Sequence, residues 1–122
     1  MGDQDLVQKT IKVLMVCAMG MSSSLLEAKT KEAAAKAGIP FELKAVSVSE
    51  ITQWDPKVTW YDVILVAPQV FYKRAAIKAV ADPHGIIVQP IEPTVFGMVD
   101  GDAVFKQVMD AVKARDEAKN NK

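Results

Sequence analysis

The sequence predicts an α/β fold in which a single domain holds a four-stranded parallel sheet flanked by helices on both faces. Short apolar runs typical of buried strands alternate with segments rich in helix-forming residues, and capping or helix-stopping residues separate them. Buried strands that are joined by helices require right-handed crossovers, which produce a parallel sheet covered on both faces. The chain has 122 residues, which is the length of a single domain.

The first half of the chain predicts a strand, a helix, a second strand and a short helix. Residues 11–16 are mostly apolar and β-branched, which is typical of a buried strand. Residues 25–37 are rich in Ala, Lys and Glu, and Gly38 follows them as a helix stop. Residues 41–46 have the weaker alternation of a second strand, and a short helix from 47 to about 54 follows it.

Two capping boxes indicate where these helices begin. Ser24 and Glu27 have the required spacing, and Ser47 and Glu50 repeat it. In a capping box the serine hydroxyl and the carboxylate each accept a backbone N–H group of the first turn. We therefore expect the first helix to open at Ser24 and the second at Ser47.

The second half predicts two further strands, each followed by a helix. Residues 62–67 form the clearest buried strand, and residues 69–80 have one apolar side, as an amphipathic helix does. After a turn at residues 82–85, residues 86–88 lead into the fourth strand. We expect residues 94–100 to form the loop that joins this strand to the last helix.

The last helix is indicated by apolar residues at helical spacing, namely Val104, Phe105, Val108, Met109 and Val112. Asp100 or Asp102 is expected to open it, because acidic side chains stabilise the positive end of a helix. We expect the domain to span residues 11–113, with a flexible extension at 1–10 and a charged, frayed tail at 114–122.

The composition excludes several classes of protein. The 15 basic and 15 acidic side chains cancel, so no overall charge favours nucleic acid. The single cysteine excludes an intramolecular disulfide and suits a reducing compartment. The apolar runs are far shorter than the roughly 20 residues that cross a membrane. We expect a cytoplasmic protein without direct membrane insertion. One cysteine and one histidine do not make a ligand set, so no metal site is predicted, and no cofactor is expected.

Candidate chemistry lies in the loop after the first strand, where Cys17 opens the pattern Cys-x-x-Gly-x-Ser-x-Ser. A short loop that enters a helix directs backbone N–H groups into one concavity, which suits the oxygens of a phosphate. The same positive field favours the thiolate, which is the nucleophilic form of cysteine. We predict that Cys17 carries a phosphoryl group, the alternative being a structural cysteine in a tight turn. The predicted phosphate-binding residues are Ala18, Met19, Gly20, Met21, Ser22, Ser23 and Ser24.

Four sequence blocks, Val13–Leu26, Ala45–Glu50, Tyr61–Val70 and Phe96–Gly101, together resemble one protein family. Over about residues 11–112 the chain is similar to the enzyme IIB component of the lactose/cellobiose family of the phosphoenolpyruvate-dependent sugar phosphotransferase system. The resemblance implies a four-stranded parallel sheet with flanking helices. It also implies that Cys17 accepts a phosphoryl group from a histidine of enzyme IIA. Cys17 would then pass the group to a sugar of the cellobiose, chitobiose or lactose type that the membrane component, enzyme IIC, translocates.

Low-molecular-weight tyrosine phosphatases share the strand, cysteine loop and helix layout but require the pattern Cys-x5-Arg. Here Ser23 occupies the arginine position, so the guanidinium that would clamp the phosphoryl group is missing. Hydrolysis also needs a positioned acid or base, for which the candidates are Asp55 and Asp82, each in an Asp-Pro pair typical of turns. The sequence therefore favours phosphoryl transfer over the alternatives, a cysteine-dependent phosphatase, an arsenate-reductase-like enzyme or a non-catalytic flavodoxin-like module.

Further candidates for pocket or partner contact follow the third and fourth strands. They are Gln69, Val70, Phe71, Tyr72, Phe96 and Gly97. Phe71 and Tyr72, with Met19 and Met21 of the loop, are candidates for an apolar docking rim, and we expect at least two of these four in the core. The single histidine, His84, is expected on a surface turn at the opposite end of the sheet from Cys17.

Overall fold

Four parallel strands form the centre of the structure, a computed structural model that describes residues 10–18, 21–51, 54–55 and 60–120. The strands are β1 (Ile11–Cys17), β2 (Phe41–Ser47), β3 (Val63–Val66) and β4 (Ile87–Pro90). The helices are α1 (Met21–Ala37), α2 (Val48–Ile51), α3 (Arg74–Ala81), α4 (Pro93–Gly97) and α5 (Gly101–Asn120). Two 3-10 segments, Pro68–Lys73 and Asp82–His84, precede and follow α3.

The sheet has the strand order β2-β1-β3-β4, and every pair of neighbours is parallel. This arrangement confirms the predicted α/β class and the four-stranded parallel sheet. In the two central strands, β1 from Val13 onward and all of β3 are buried. Because all strands run the same way, their carboxyl ends meet at one edge of the sheet, which is where ligands of such sheets bind.

Helices cover both faces of the sheet, as predicted. On one face, the Phe105 ring of α5 packs edge-on against Phe41 of β2 at 5.6 Å between centroids, and α1 packs beside α5. On the other face, Ile51 of α2 lies beside Leu14 and Val46, while α3 packs against β4. Right-handed crossovers require this distribution, because the chain moves to opposite sides of β1 when it forms β2 and β3.

Helix α1 begins at Met21, so the prediction that it opens at Ser24 is wrong. The earlier start places Ser23 on the buried side of the helix, with 2 % of its surface exposed. It also puts Leu26 and Thr30 one turn apart in the core, and the Thr30 hydroxyl donates to the Leu26 carbonyl at 2.7 Å. Burial of this side of the helix therefore outweighs the local capping preference of Ser24.

The two other signals for helix ends in the first half of the chain, Gly38 and the second capping box, are confirmed. Gly38 has φ +72°. The amides of Gly38 and Ile39 donate back to the carbonyls of Ala35 and Ala34, which is a Schellman motif. In the second capping box, the Ser47 amide donates to Glu50 Oε1 at 2.9 Å, and the Glu50 amide donates to Ser47 Oγ at 3.3 Å.

The segment after β3 does not form one continuous helix from 69 to 80. A 3-10 segment comes first and α3 begins only at Arg74, because Val70 leaves the helical region at φ −121° and ψ 22°. The turn at Val70 buries its side chain in the core. Strand β4 covers Ile87–Pro90, slightly beyond the predicted 86–88.

The expected loop at 94–100 contains the short helix α4, which the chain opens with Pro93 at its first position. Burial of Phe96 in the core stabilises this short helix, and the local sequence pattern does not reveal that contribution. Asp100 Oδ1 then accepts the Ala103 amide at 3.1 Å, so Asp100 rather than Asp102 caps α5. Helix α5 continues through Asn120, whereas fraying was expected from Ala114.

Arg115 explains why the end of α5 is ordered against the domain. Its Nη1 donates to Asp62 Oδ1 at 3.0 Å, and Asp62 Oδ2 accepts the Lys12 amide at 2.9 Å. The side chains of Arg115 and Asp62 are only 21 % and 18 % exposed. One carboxylate therefore ties the end of α5 to the amino ends of β1 and β3.

We expect Arg115→Ala to lower the free energy of unfolding by about 1 kcal/mol, because the partly buried Asp62 carboxylate loses a charged donor. The matched control is Lys106→Ala, which removes a pair with Asp110 whose side chains are 78 % and 65 % exposed. That change should cost no more than about 0.5 kcal/mol. Urea denaturation of both variants measures the difference, and equal losses would contradict the role assigned to Arg115.

Gly101 permits the close contact between the start of α5 and the middle of α1. A Cβ atom at this position would overlap the backbone carbonyl carbon of Lys29 and would lie 2.6 Å from the Lys29 oxygen. The neighbour is backbone, so it cannot move aside as a flexible side chain does. The glycine at the end of the block Phe96–Gly101 is therefore required by packing.

Gly101→Ala should lower the free energy of unfolding by about 1–3 kcal/mol or more, because the added methyl group overpacks the α1–α5 contact. Gly97→Ala is the matched control, since nothing lies within 4 Å of a Cβ built at Gly97. It should change stability by less than about 0.5 kcal/mol. Urea denaturation compares the two, and a Gly101→Ala variant as stable as Gly97→Ala would refute the packing argument.

Candidate functional site

Cys17 is the last residue of β1 and lies at the carboxyl edge of the sheet. Its side chain is buried, and its thiol donates to the backbone carbonyl of Val46 at 3.4 Å. Val46 belongs to β2, so the sulfur leans toward that strand. In the β1–β2 register, Cys17 pairs with Ser47, the residue that follows Val46.

The predicted strand before Cys17 and the predicted helix after it are both present. Ala18 is exposed directly after the strand, and α1 begins at Met21. Met19 and Gly20 lie outside the described residues, as do the side chains of Met21 and Ser22. The positive end of a 17-residue helix thus follows the cysteine almost immediately, which favours an anion beside the sulfur.

The two remaining loop serines differ in accessibility. Ser23 is buried within α1, whereas Ser24 is exposed. The position of the phosphatase arginine is therefore inside a helix and turned toward the core. A long cationic side chain would not fit there without a large cost of burying its charge.

The candidates that follow β3 and β4 separate into surface and core residues. Gln69, Phe71 and Tyr72 are exposed on the 3-10 segment after β3, and Gly97 is exposed at the end of α4. Val70 and Phe96 belong to the hydrophobic core, so their side chains support the edge of the sheet and do not form a contact surface. At least two residues of the proposed apolar rim were expected in the core. Phe71 and Tyr72 are both exposed, so they are not those residues.

One of the two aspartates considered as helpers of hydrolysis, Asp82, lies at the opposite end of the sheet from Cys17. Asp82 is exposed, forms an ion pair with Lys78 at 3.2 Å, and precedes the amino end of β4. His84 is exposed in the same 3-10 segment, which confirms its expected place opposite Cys17. Asp55 is also exposed.

Two features near the site were missed by reasoning from the sequence. Ser47 was treated only as a helix cap, although it lies beside Cys17 in the sheet register. The Arg74 guanidinium stacks over the Phe71 ring at 4.6 Å from the ring centroid. The arginine follows the phenylalanine by three positions on a helical segment, and this spacing could have indicated their contact.

A groove of about 360 Å³ lies on the α2 face of the sheet and is walled by Trp54 and Tyr61. Burial raises the pKa of the Tyr61 phenol above its ordinary value. Cys17 is not among the residues that line this groove. The groove is therefore separate from the Cys17 side chain.

Two features are absent from the part of the chain that the structure describes. No three His, Cys, Asp or Glu side chains among the described residues are grouped as a metal ion would require. None of the described helices combines the length and the apolar character needed to span a bilayer.

The fold and the cysteine together define a class of protein. A parallel α/β domain that places a cysteine at the end of its first strand and a helix N-terminus directly after it can bind and carry a phosphoryl group. The family model described as "PTS system, Lactose/Cellobiose specific IIB subunit" matches residues 12–107. The chain therefore belongs to the lactose/cellobiose-specific IIB family of the phosphotransferase system, and it is a sugar phosphotransferase component.

Curated relatives of similar length agree with this assignment. The oligo-β-mannoside-specific EIIB component of Bacillus subtilis is 33% identical over 98 residues, which cover 80% of this chain and 92% of the relative. The galactose-specific EIIB component of Lactococcus lactis subsp. cremoris is 34% identical over 98 residues, covering 76% of this chain and 88% of the relative. The cellobiose-specific EIIB component of Lactococcus lactis subsp. lactis gives the same identity and coverage.

Solved structures support the fold. The lactose-specific IIB domain from Streptococcus pneumoniae aligns with a TM-score of 0.70 and 21% identity, covering 84% of this chain and 97% of that domain. The cellobiose-specific IIB component from Borrelia burgdorferi aligns with a TM-score of 0.69 and 24% identity, covering 88% of this chain and 95% of the other. At these identities the two structures support the architecture alone.

Proposed function

We propose that this chain is a phosphoryl carrier in which Cys17 accepts a phosphoryl group from a histidine of enzyme IIA and passes it to a sugar bound by enzyme IIC. The observation that carries the proposal is the position of Cys17, at the carboxyl end of the central strand and directly before the positive end of α1. Membership of the IIB family supports the proposed donor and acceptor.

The first step transfers the phosphoryl group from nitrogen to sulfur. The Cys17 sulfur attacks phosphorus, the S–P bond forms, and the P–N bond breaks with its electron pair remaining on the histidine nitrogen. The thiol proton replaces the phosphoryl group on that nitrogen, either directly or through water. The positive end of α1 stabilises the thiolate before transfer and the phosphoryl oxygens after it.

The second step transfers the group from sulfur to oxygen. A sugar hydroxyl attacks phosphorus, the O–P bond forms, and the S–P bond breaks to return the Cys17 thiolate. The proton of the hydroxyl passes to the thiolate or to water. We propose a sugar of the cellobiose, chitobiose or lactose type. The relatives named above carry three different sugar names at nearly the same identity, which supports a common chemistry on different sugars.

The surface beside the site has the composition of a docking surface for enzyme IIA. Tyr72 is 73 % exposed, Phe71 is partly exposed, and the Arg74 guanidinium lies over the Phe71 ring. Aromatic side chains and arginine are enriched at the centres of protein interfaces. The chain has no Asp or Glu between residues 63 and 81, so the surface attracts a partner face that carries carboxylates.

We expect the chain to gain one phosphate when it is incubated with phosphoenolpyruvate, the general phosphotransferase proteins and enzyme IIA. Intact-mass spectrometry measures this gain, which should be absent in Cys17→Ser because the hydroxyl is a far weaker nucleophile than a thiolate. Failure of every tested enzyme IIA to phosphorylate the protein would refute the proposal. Robust hydrolysis of p-nitrophenyl phosphate that depends on Cys17 would instead favour the phosphatase alternative.

Tyr72→Ala should raise the KM for enzyme IIA by about tenfold, because truncation of a central interface aromatic removes apolar contact with the partner. The matched control is Val80→Ala, which truncates an apolar side chain that is 43 % exposed near the other end of α3. That variant should leave the KM unchanged. Steady-state phosphorylation at varied enzyme IIA concentrations tests both, and equal KM values for the two variants would exclude Tyr72 from the interface.

A further inference from the structure

We propose that the hydroxyl of Ser47 donates a hydrogen bond to the phosphoryl group on Cys17 and thereby stabilises the phosphocysteine. The inference rests on the proposed carrier function and adds a phosphoryl-binding residue from β2, outside the cysteine loop. Ser47 has so far been accounted for only as the cap of α2.

The first support is the position of Ser47 in the sheet. Cys17 and Ser47 are paired in the parallel register of β1 and β2, so the two residues lie side by side at the carboxyl edge of the sheet. Neighbouring strands lie only about 4.8 Å apart. A group bonded to the sulfur of Cys17 therefore extends into the space beside Ser47.

The second support is the direction of the thiol. Cys17 Sγ lies 3.4 Å from the carbonyl oxygen of Val46, which is part of the peptide group that joins Val46 to Ser47. The sulfur thus contacts β2 at the residue that precedes the proposed donor. Ser47 is half-buried and is the last residue of β2, so it lies at the carboxyl edge beside Cys17.

Phosphorylation changes what the sulfur needs from its surroundings. The thiol donates to Val46, but a phosphorylated sulfur has no proton, and its phosphoryl oxygens require donors. The backbone N–H of Ser47 already donates to Glu50 Oε1 at 2.9 Å. The Ser47 hydroxyl is therefore the donor that this residue can offer to a phosphoryl oxygen.

The contacts of the hydroxyl are compatible with this role. Ser47 Oγ accepts the Glu50 amide at 3.3 Å and lies 2.9 Å from Ser49 Oγ. When Ser49 donates across that contact, both lone pairs of Ser47 Oγ are occupied and its proton is directed elsewhere. The Ser47 proton is then available for donation to an anion on the sulfur.

The test measures the equilibrium of phosphoryl transfer between enzyme IIA and the chain by intact-mass spectrometry. Ser47→Ala should shift this equilibrium against the phosphocysteine by about tenfold or more, as expected for a lost hydrogen bond to a charged group. Ser47→Thr keeps a hydroxyl and a capping side chain, and it should remain close to the wild-type value.

Two further variants separate phosphoryl binding from helix capping. Glu50→Ala removes the other half of the capping box but keeps the Ser47 hydroxyl, so the thermal midpoint should fall while the phosphocysteine fraction does not. Ser47→Asp keeps a preferred cap but offers only acceptors when ionised, so it should lose phosphocysteine even if Ser47→Ala fails to fold.

The outcomes are distinct. A Ser47→Ala variant with the wild-type equilibrium, an equal loss in Glu50→Ala, or full phosphorylation of Ser47→Asp would overturn the role of Ser47 while leaving the carrier function intact. A wild-type chain that gains no phosphate would overturn the carrier function and, with it, this inference.

Discussion

Parallel hydrogen bonding to both neighbours holds β1 in register with β2 and β3, so that Cys17 pairs with Ser47 while Val16 pairs with Val66. The register fixes the cysteine at one depth along the sheet, because a slip by one residue would turn its side chain to the opposite face. The apolar side chains of β1 from Val13 onward and of β3 are almost completely removed from water. Burial contributes roughly 1.5–3 kcal/mol for each large side chain, so the register that positions the sulfur is also the one that the core stabilises.

The end of the sheet away from Cys17 supports the same arrangement. Asp62 joins the amino ends of β1 and β3 to the end of α5 through Lys12 and Arg115. Near its start, α5 contacts α1 so closely at Gly101 that only a hydrogen fits. Helix α1 is therefore held against both the sheet and α5, and its positive end is kept beside the cysteine. The residues that fix the site thus include several that lie far from it in the chain.

The strands and the class of fold could be predicted from the sequence, because each buried strand is a continuous apolar run bounded by turn residues. The starts of helices were less predictable. Ser24 and Ser47 carry the same local capping signal, yet only Ser47 caps a helix. At the first helix, burial of Leu26 and Ser23 moves the start to Met21, and nothing in the local spacing reveals that tertiary preference.

The candidate site likewise combines features that could be predicted from the sequence with features that could not. The position of Cys17 between a strand and a helix was predictable, because both elements have clear patterns in the adjacent sequence. The contact between Arg74 and Phe71, and the pairing of Cys17 with Ser47, depend on the helix geometry and the strand register that folding creates. Val70 and Phe96 were placed at the correct edge of the sheet, but their apolar side chains turn inward because the core beneath that edge must be filled.

The packing of α1 also bears on why a phosphoryl group on Cys17 would be transferred rather than hydrolysed. Helix α1 has already begun before Ser23, so the position that carries an arginine in cysteine-dependent phosphatases is buried in a helix and is occupied by a small side chain. The exposed Asp82 is paired with Lys78 before the amino end of β4. A phosphoryl group held by neutral donors and a helix end is stabilised as an anion, while the arrangement that activates water for hydrolysis needs an additional acid or base. The early start of α1 thus has two effects. It places the positive end of the helix beside the sulfur, and it buries the position at which a phosphatase has its arginine.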